Sequence, residues 1–397
     1  MLILAINCGS SSLKCSLIDS DSNRRSFDAL VENIGTPKCR IVIDDADPQP
    51  VGDCDHDGAM HRVLEELRKH SPNALPAAAA HRIVHGGNRF LAPTLVTDAT
   101  LDALDGLNDL APLHNPPAVA ALRLARKSLP DILHVAVFDT SFHATLPPHA
   151  YEYALSAAVT QRLGIRRYGF HGISHGHVME SVAAYLRKPP RQLRIVSCHL
   201  GNGASVAAIE QGRSVETSMG MTPLEGLVMG TRSGDVDPGV LLHLLHSGEY
   251  DADGLDGLLN HESGLKGLTG TNDLREIERR ADGGEDTCRT AIAMYAHRVR
   301  KYIGAYAAVM GGVDVIAFTG GVGENSASMR SRIVQRLEFL GAHLDEQLNR
   351  AAKVGHNEPI ALISTTQSRV ALCVVQADEE AEMVRKAYAQ LQKSALP

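Results

Sequence analysis

The chain has 397 residues, enough for two domains with complete cores, and its 44% hydrophobic and 21% charged residues are those of an ordinary globular protein. A formal net charge of −7 argues against a nucleic-acid-binding surface, which calls for a basic stripe, and no apolar stretch reaches the length of a membrane span. The seven cysteines (Cys8, Cys15, Cys39, Cys54, Cys198, Cys288 and Cys373) form no CxxC pair, as expected of reduced thiols in the cytoplasm, and a chain that opens on a core strand gives no signal peptide to expect.

Residues 2–19 predict two strands broken by Asn7-Cys8-Gly9-Ser10-Ser11-Ser12, and residues 39–44 predict a further strand. Cys54-Asp55-His56-Asp57 has metal-ligand residue types but lies in a loop rich in Gly, Pro and Asp. Residues 60–70 predict an amphipathic helix with Met60, Val63, Leu64 and Leu67 at helical spacing. Residues 77–84 and 134–138 predict buried strands. Between them, residues 101–110 and 117–128 predict helices, the second opening on a proline suited to a first turn. Thr145-Leu146-Pro147-Pro148-His149 interrupts the pattern. It sets a first domain over residues 1–147, completed by a C-terminal helix over about 380–397, and a second, nucleotide-binding domain over residues 148–379. Residues 172–186 predict a helix that stops before Pro189-Pro190. The longest helix is expected over 285–310, with Ala291, Met294, Tyr295, Val299, Tyr302, Ile303 and Tyr306 on one stripe and Gly311-Gly312 as its end. A strand over 370–375 leads into a last helix over 379–392. Strands alternating with helices call for an α/β fold.

Three of the predicted strands end abruptly in glycines and small polar residues. The first breaks at Asn7-Cys8-Gly9. A second, Ile195-Val196-Ser197-Cys198, runs into His199-Leu200-Gly201-Asn202-Gly203, and a third, Val315-Ile316-Ala317-Phe318-Thr319, into Gly320-Gly321-Val322-Gly323-Glu324-Asn325. Glycine admits positive φ and close approach to the backbone, and successive N–H groups in such a turn form a concavity for anions. One glycine turn is ordinary hairpin chemistry. Three at strand ends suggest a polyphosphate held from several sides, hence phosphoryl transfer. Gly9 and Gly201 also fall in register, and each turn is followed by a second apolar run with an acidic end, at residues 13–19 and 205–210. Two strand–turn–strand copies about 190 residues apart point to a duplicated domain.

Several polar clusters sit at or near strand ends. His81-Arg82-Ile83-Val84-His85-Gly86-Gly87 closes one apolar run, and Asp139-Thr140-Ser141-Phe142-His143 follows another, where open α/β sheets bind ligands. Taken singly, Arg82 reads as a surface arginine and Asp139 equally as a cap or turn residue. His171 and His175 lie between glycines at a helix start, and either alone reads as a structural histidine. Met229-Gly230-Thr231-Arg232-Ser233-Gly234-Asp235 places Arg232 on a tight loop. As a set, Arg82, Arg232, His171 and His199 can surround a transferring phosphoryl group with donors. Asn7 and an acidic residue can hold a hydrated Mg²⁺. There is no GxxxxGK[ST] loop and no protein-kinase signature, which excludes those classes.

These blocks resemble the acetokinase family over nearly the whole chain. The matching segments are residues 7–14, 81–87, 112–116, 138–143, 168–175, 199–205, 217–238 and 318–325, and the block 217–238 is the most specific. The resemblance implies two duplicated ribonuclease H-like domains of the actin-like ATPase fold with an interdomain active-site cleft. It implies a cytoplasmic homodimer that interconverts acetate plus ATP with acetyl phosphate plus ADP, with Mg²⁺, for which Mn²⁺ can substitute. By the same resemblance Asn7 and Glu379 stand on the metal side. Arg82 and Arg232 bind the carboxylate and the transferring group, His171 and Arg232 stabilise the transition state, and Asp139 orients an arginine or the metal water. His199 is expected on the γ-phosphate. Ser10, Ser12, Lys14, Leu200, Gly201, Asn202, Gly203, Asp273, Leu274, Arg275, Gly321, Val322, Gly323, Glu324 and Asn325 complete the nucleotide set. Val84, Leu113 and Pro223 match the pocket for the substrate methyl. The run Val375-Gln376-Ala377-Asp378-Glu379-Glu380 departs from the family's usual Pro-Thr-Asn before paired glutamates, leaving Asp378 as an extra carboxylate, and Asn115-Pro116-Pro117 carries an extra proline. Propionate or butyrate kinase chemistry, with a wider pocket, is the neighbouring reading. An actin-like ATPase without a carboxylate substrate is the more distant one.

Overall fold

The structure is a computed structural model that describes residues 1–9, 11–44, 46–70, 75–112 and 114–394. The chain divides into two compact units, Met1–Phe142 with Asp378–Pro397, and His143–Ala377. The sequence alone predicts these breaks at residue 147 and near residue 380.

Unit one is built on β1 (Leu2–Cys8), β2 (Ser12–Asp19), β3 (Arg25–Glu32), β4 (Arg40–Ile43), β5 (Gln49–Pro50), β6 (Ala78–Ile83), β7 (Thr94–Leu95) and β8 (Leu133–Phe138). They form one sheet in the order β5-β4-β3-β2-β1-β6-β8-β7. β1 runs antiparallel to β2 and parallel to β6, which runs parallel to β8. A parallel strand is buried on both faces, and Ile3, Leu4, Ala5 and Ile6 accordingly form a continuous buried run. The helices His56–His70 and Asn115–Ser128 supply Met60, Val63, Leu64, Ala121 and Ala125 to the core beneath β1–β3. The C-terminal helix Glu379–Ser394 returns to pack on β1, β6 and β8. Strand β3 escaped the sequence reading, although buried Phe27, Ala29 and Val31 alternate with less buried neighbours at the period of a strand. The helix expected over 101–110 ends at Asp105, where Gly106 interrupts it, and Asn108–Leu110 is a separate 3₁₀ turn.

Unit two is built on β9 (Arg194–Leu200), β10 (Ala204–Glu210), β11 (Arg213–Thr217), β12 (Val315–Thr319), β13 (Ile360–Leu362) and β14 (Ala371–Val375), in the order β11-β10-β9-β12-β14-β13. β9 is antiparallel to β10 and parallel to β12, β12 is parallel to β14, and β13 closes the edge antiparallel. The same sequence of pairings runs through β3-β2-β1-β6-β8-β7 of unit one. Each unit thus has a ribonuclease H-like core, and the duplication read from Gly9 and Gly201 is present in the topology.

The longest helix, Asp286–Val309, buries Ala291, Tyr295, Val299, Ile303 and Tyr306. Met294 does not share that stripe. One residue from Tyr295 it is turned by about 100° and is 37% exposed. Gly311 and Gly312 end the helix at φ 64° and 138°. The glycine run after β12 is not an open turn but a short helix, Gly320–Asn325, emerging directly from the strand. Among the described residues no helix is long and apolar enough to cross a membrane.

Candidate active site

Strand register assembles the polar cluster of unit one. Ile6 pairs with His81, and Ile83 with Phe138, so Asn7, Arg82 and Asp139 stand at the carboxyl ends of three adjacent parallel strands, where such sheets bind ligands. Arg82 donates from Nε to Asp139 Oδ1 at 3.1 Å and from Nη2 to Oδ2 at 2.7 Å, a bidentate fork. Its Nη1 lies 2.9 Å from Glu379 Oε2 and 3.4 Å from Asn7 Oδ1. Burial alone would lower the Arg82 pKa, but the charges of Asp139 and Glu379 outweigh it and hold the guanidinium above its ordinary value. Arg82 is therefore not the surface arginine that it resembles in isolation.

The two other carboxylates at the start of the C-terminal helix point elsewhere. Asp378 pairs with Arg25 and accepts from the Ala381 N–H at 3.0 Å, capping the helix. Glu380 is buried and accepts from Lys14 Nζ at 2.8 Å. Burial pushes its carboxyl up, yet Lys14 and Arg25 together bring it below the ordinary glutamate range. Lys14, expected at the nucleotide, is thus committed to Glu380, and the extra carboxylate Asp378 belongs to a structural ion pair. Arg25, which anchors both, gave no motif signal. Ser12 closes the first glycine turn by accepting from Gly9 N–H at 2.8 Å. Ser10 and Leu113 lie outside the described residues.

Val84 is half-buried, and the backbone after it is clamped. His85 N–H donates to Asn115 Oδ1, and Asn115 Nδ2 donates back to the His85 carbonyl, each at 3.0 Å. The extra proline beside Asn115 falls in the first turn of its helix, where the missing N–H costs nothing. In the Cys54-Asp55-His56-Asp57 run, His56 Nε2 donates to the Gly9 carbonyl at 2.9 Å and Asp55 accepts from Gly58. Among the described residues no three His, Cys, Asp or Glu side chains gather as a metal centre.

In unit two, His171 occupies the left-handed region (φ 56°) at the start of the helix Gly172–Leu186. Gly169 before it has φ 74°, and a Cβ there would stand 2.5 Å from Thr217 Cγ2, so this approach requires glycine. His143 fastens the same segment: its Nε2 donates to the Phe170 carbonyl at 3.0 Å, while Nδ1 is 2.8 Å from Ser214 Oγ. The His171 and His199 rings stack with centroids 4.2 Å apart, and His199 Nδ1 is 2.8 Å from Ser174 Oγ. His171 Cε1 and Nε2 both lie 3.5 Å from where a Cβ on Gly203 would stand, and Arg232 Nη1 lies 3.7 Å from that point. Arg232 donates to the Pro223 carbonyl at 3.3 Å. Among the described residues no carboxylate pairs with it, and burial lowers its pKa. Its loop is pinned by Asp235, which accepts from Gly226 N–H, Tyr302 Oη and Arg298.

A cavity of about 550 Å³ opens beside this group. Of the residues expected at the nucleotide, Gly201, Asn202, Asp273, Leu274, Arg275, Gly321, Val322 and Asn325 line it. Leu200 and Gly323 are buried and are not part of its lining. Glu324 turns inward and accepts from the Gly320 and Ala377 N–H groups, each at 3.0 Å. Gly230, Leu265, Asn272, Glu278, Tyr295 and Ser326 also line the cavity; Gly230 lies in the block 217–238, Tyr295 on the long helix, and Asn272 and Ser326 beside the expected Asp273 and Asn325, but none carries a local signal for a nucleotide. Asn272 Nδ2 donates to Asn202 Oδ1 at 3.0 Å, and Asp273 and Arg275 pair with each other at the wall.

A family model for the Acetokinase family matches residues 2–385. The chain is 45% identical over 394 residues to an acetate kinase of Clavibacter michiganensis subsp. michiganensis, covering 98% of each sequence. Among solved structures it resembles Porphyromonas gingivalis acetate kinase with a TM-score of 0.91 and 38% identity, covering 98% of this chain and 99% of that one. It also resembles a propionate kinase from Francisella tularensis subsp. tularensis with a TM-score of 0.90 and 35% identity, covering 97% and 98%. This chain belongs to the acetokinase family.

Proposed function

We propose that the chain catalyses reversible, Mg²⁺-dependent phosphoryl transfer between ATP and acetate, giving acetyl phosphate and ADP. The observation that carries this reading is the Arg82–Asp139 fork beside Asn7 and Glu379 at the ends of β1, β6 and β8. A plain ATPase has no need of a rigidly aimed guanidinium there, whereas a carboxylate substrate does. Acetate is already ionised at neutral pH, so no general base is required. Asp139 serves to aim Arg82 at the carboxylate. Val84, Leu113 and Pro223 receive the methyl group.

On the nucleotide side, the cavity bounded by Gly201, Asp273 and Gly321 takes ATP, with His199 toward the γ-phosphate. His171 and Arg232, both against Gly203, donate to the equatorial oxygens as charge develops during transfer. Asn7 and Glu379 suit Mg²⁺ or Mn²⁺. One amide and one carboxylate converging on the same Arg82 nitrogen form a thin donor set, right for a cation that keeps its water and takes phosphate oxygens. Bound with ATP, the metal would supply charge neutralisation on the phosphates. We further infer that the two compact units are the two domains of the enzyme, and that it works as a cytoplasmic homodimer.

Propionate is the competing acceptor, because one methylene in an apolar pocket is worth only about 1–3 kcal/mol. Steady-state rates with acetate, propionate and butyrate decide the matter: acetate should give the highest kcat/KM. ATP turnover that ignores all three carboxylates would remove the kinase reading altogether. Sedimentation of the purified chain at micromolar concentration tests the dimer.

A further inference from the structure

Behind His171 lies a chain of buried side chains for which the proposed reaction gives no task. His175 stands one helical turn after His171 and is 0% exposed. Its Nδ1 is 2.8 Å from Ser197 Oγ and its Nε2 is 2.8 Å from Ser205 Oγ. Ser205 Oγ is in turn 2.9 Å from His171 Nδ1. Ser197 and Ser205, on the antiparallel strands β9 and β10, are equally buried. The ring atoms Cε1 and Nε2 of His171 lie against Gly203, on the side where Arg232 Nη1 approaches. One edge of His171 therefore meets Ser205 and the other meets the group assigned above to the phosphoryl oxygens.

Counting protons along this chain restricts it to two hydrogen-bond orders. A serine hydroxyl has one hydrogen, so Ser205, between two imidazole nitrogens, donates to one and accepts from the other. Burial, with His143 and His199 nearby, holds His175 neutral, so its ring carries a single N–H. In one order Ser197 donates to His175 Nδ1, His175 Nε2–H donates to Ser205, and Ser205 donates to His171 Nδ1. His171 is then neutral, with its proton on Nε2. The reverse order places a proton on His171 Nδ1, and a neutral His171 then presents a bare Nε2 lone pair to the same space. An anion beside Arg232 is stabilised by the first order and repelled by the second.

We propose that Ser205, backed by His175, is a positioning residue that holds His171 as the Nε2–H tautomer, a fixed neutral donor toward the transferring phosphoryl group. The proposal rests on the acetate kinase reading for its purpose, but the tautomer can be observed without substrate. Protonating His171 at Nδ1 would require Ser205 to rotate and His175 to exchange its ring proton, so the three hydrogen bonds must change together.

Histidine ¹⁵N spectra of the full-length chain, with His171 assigned by its loss in His171→Gln, provide the test. The wild type should show an unprotonated Nδ1 and a protonated Nε2. Ser205→Ala should give a tautomer mixture and a kcat lower by roughly tenfold, the usual order for losing an outer-shell partner, with KM for ATP unchanged within about twofold. His175→Gln, whose amide can donate to Ser205 in place of Nε2, should keep the tautomer and most of kcat, whereas His175→Leu should lose both. A proton on Nδ1 in the wild type, or an unaltered His171 spectrum in Ser205→Ala, overturns the proposal. If Ser205→Ala does not fold, the wild-type spectrum and the His175 pair decide. A wild-type chain with the expected spectrum but no acetate-dependent transfer would overturn the kinase reading instead.

Discussion

Arg82 has each of its terminal nitrogens against an acidic or amide oxygen, whereas among the described residues Arg232 meets the Pro223 carbonyl and the Met229 sulfur but no carboxylate. A guanidinium without a carboxylate partner keeps its charge for a ligand, and its plane matches phosphoryl oxygens in a way a lysine ammonium cannot. Arg232→Lys should therefore reduce kcat on the order of 10²–10³-fold, as for loss of one preorganised donor. A rise in KM for acetate alone would make it a binding group. The acidic run at residues 378–380 divides the same way, by partner. Glu379→Ala should abolish Mg²⁺-dependent transfer in a folded protein. Asp378→Asn should leave kcat nearly intact and lower unfolding stability by about 1–3 kcal/mol, because it weakens a buried ion pair and a helix cap. Urea titrations beside kinetics on both variants check this. Full activity in Glu379→Ala would move the metal role to another group.

At the scale of elements, strands carry His81 and His134 inside, the 3₁₀ turn Asp139–Thr145 carries His143, and the helix Gly172–Leu186 carries His175. Burial lowers the pKa of His81, His134, His143 and His175, that of His143 to about 4. The unfolded chain protonates each near pH 6.5. Below that pH it binds protons that the folded chain refuses, so the linkage favours unfolding as pH falls. Stability should be flat above about pH 7.5 and decline through 6.5, with the His143 contribution levelling near pH 4. At pH 5.5 the loss should be on the order of 1 kcal/mol for each of His81, His143 and His175. Ordinary carboxylates titrate lower, while burial raises Glu216 and Glu324 and makes them oppose the loss, so urea midpoints at pH 7.5 and 5.5 report the net effect. Equal midpoints would mean that the folded protein accepts these protons.

For the whole molecule, the proposed transfer draws on side chains of both units: Arg82, Asp139 and Glu379 from one, His171, Arg232 and the nucleotide cavity from the other. All must act on one phosphoryl group, and water must be excluded while they do. ATP and acetate together should therefore give a smaller radius of gyration in small-angle scattering than either alone or neither. A radius that is the same under every ligand condition would count against transfer by this route.

Sequence alone determined the α/β class, the family and the duplicated hairpins, because those are carried by contiguous signals: apolar runs that end in Gly9, Gly201 and Gly320, and the block 217–238. It found the helix at 172–186 and the long helix to within a residue at each end, since prolines and glycines mark those ends locally. What only tertiary structure decided was partnership. Arg82 looks like a surface residue until parallel register sets it beside Asp139, and Glu379, Glu380 and Asp378 are three equivalent carboxylates until helix rotation sends each to a different cation. Lys14 and Glu324, expected at the nucleotide, turn to a glutamate and to backbone N–H groups, and Ser205 is a plain strand serine until the fold sets it between two imidazoles. Local pattern records which face or turn a residue occupies. Which distant group neutralises its charge or fixes its proton depends on pairings dozens to hundreds of residues apart, and those are written only in the folded chain.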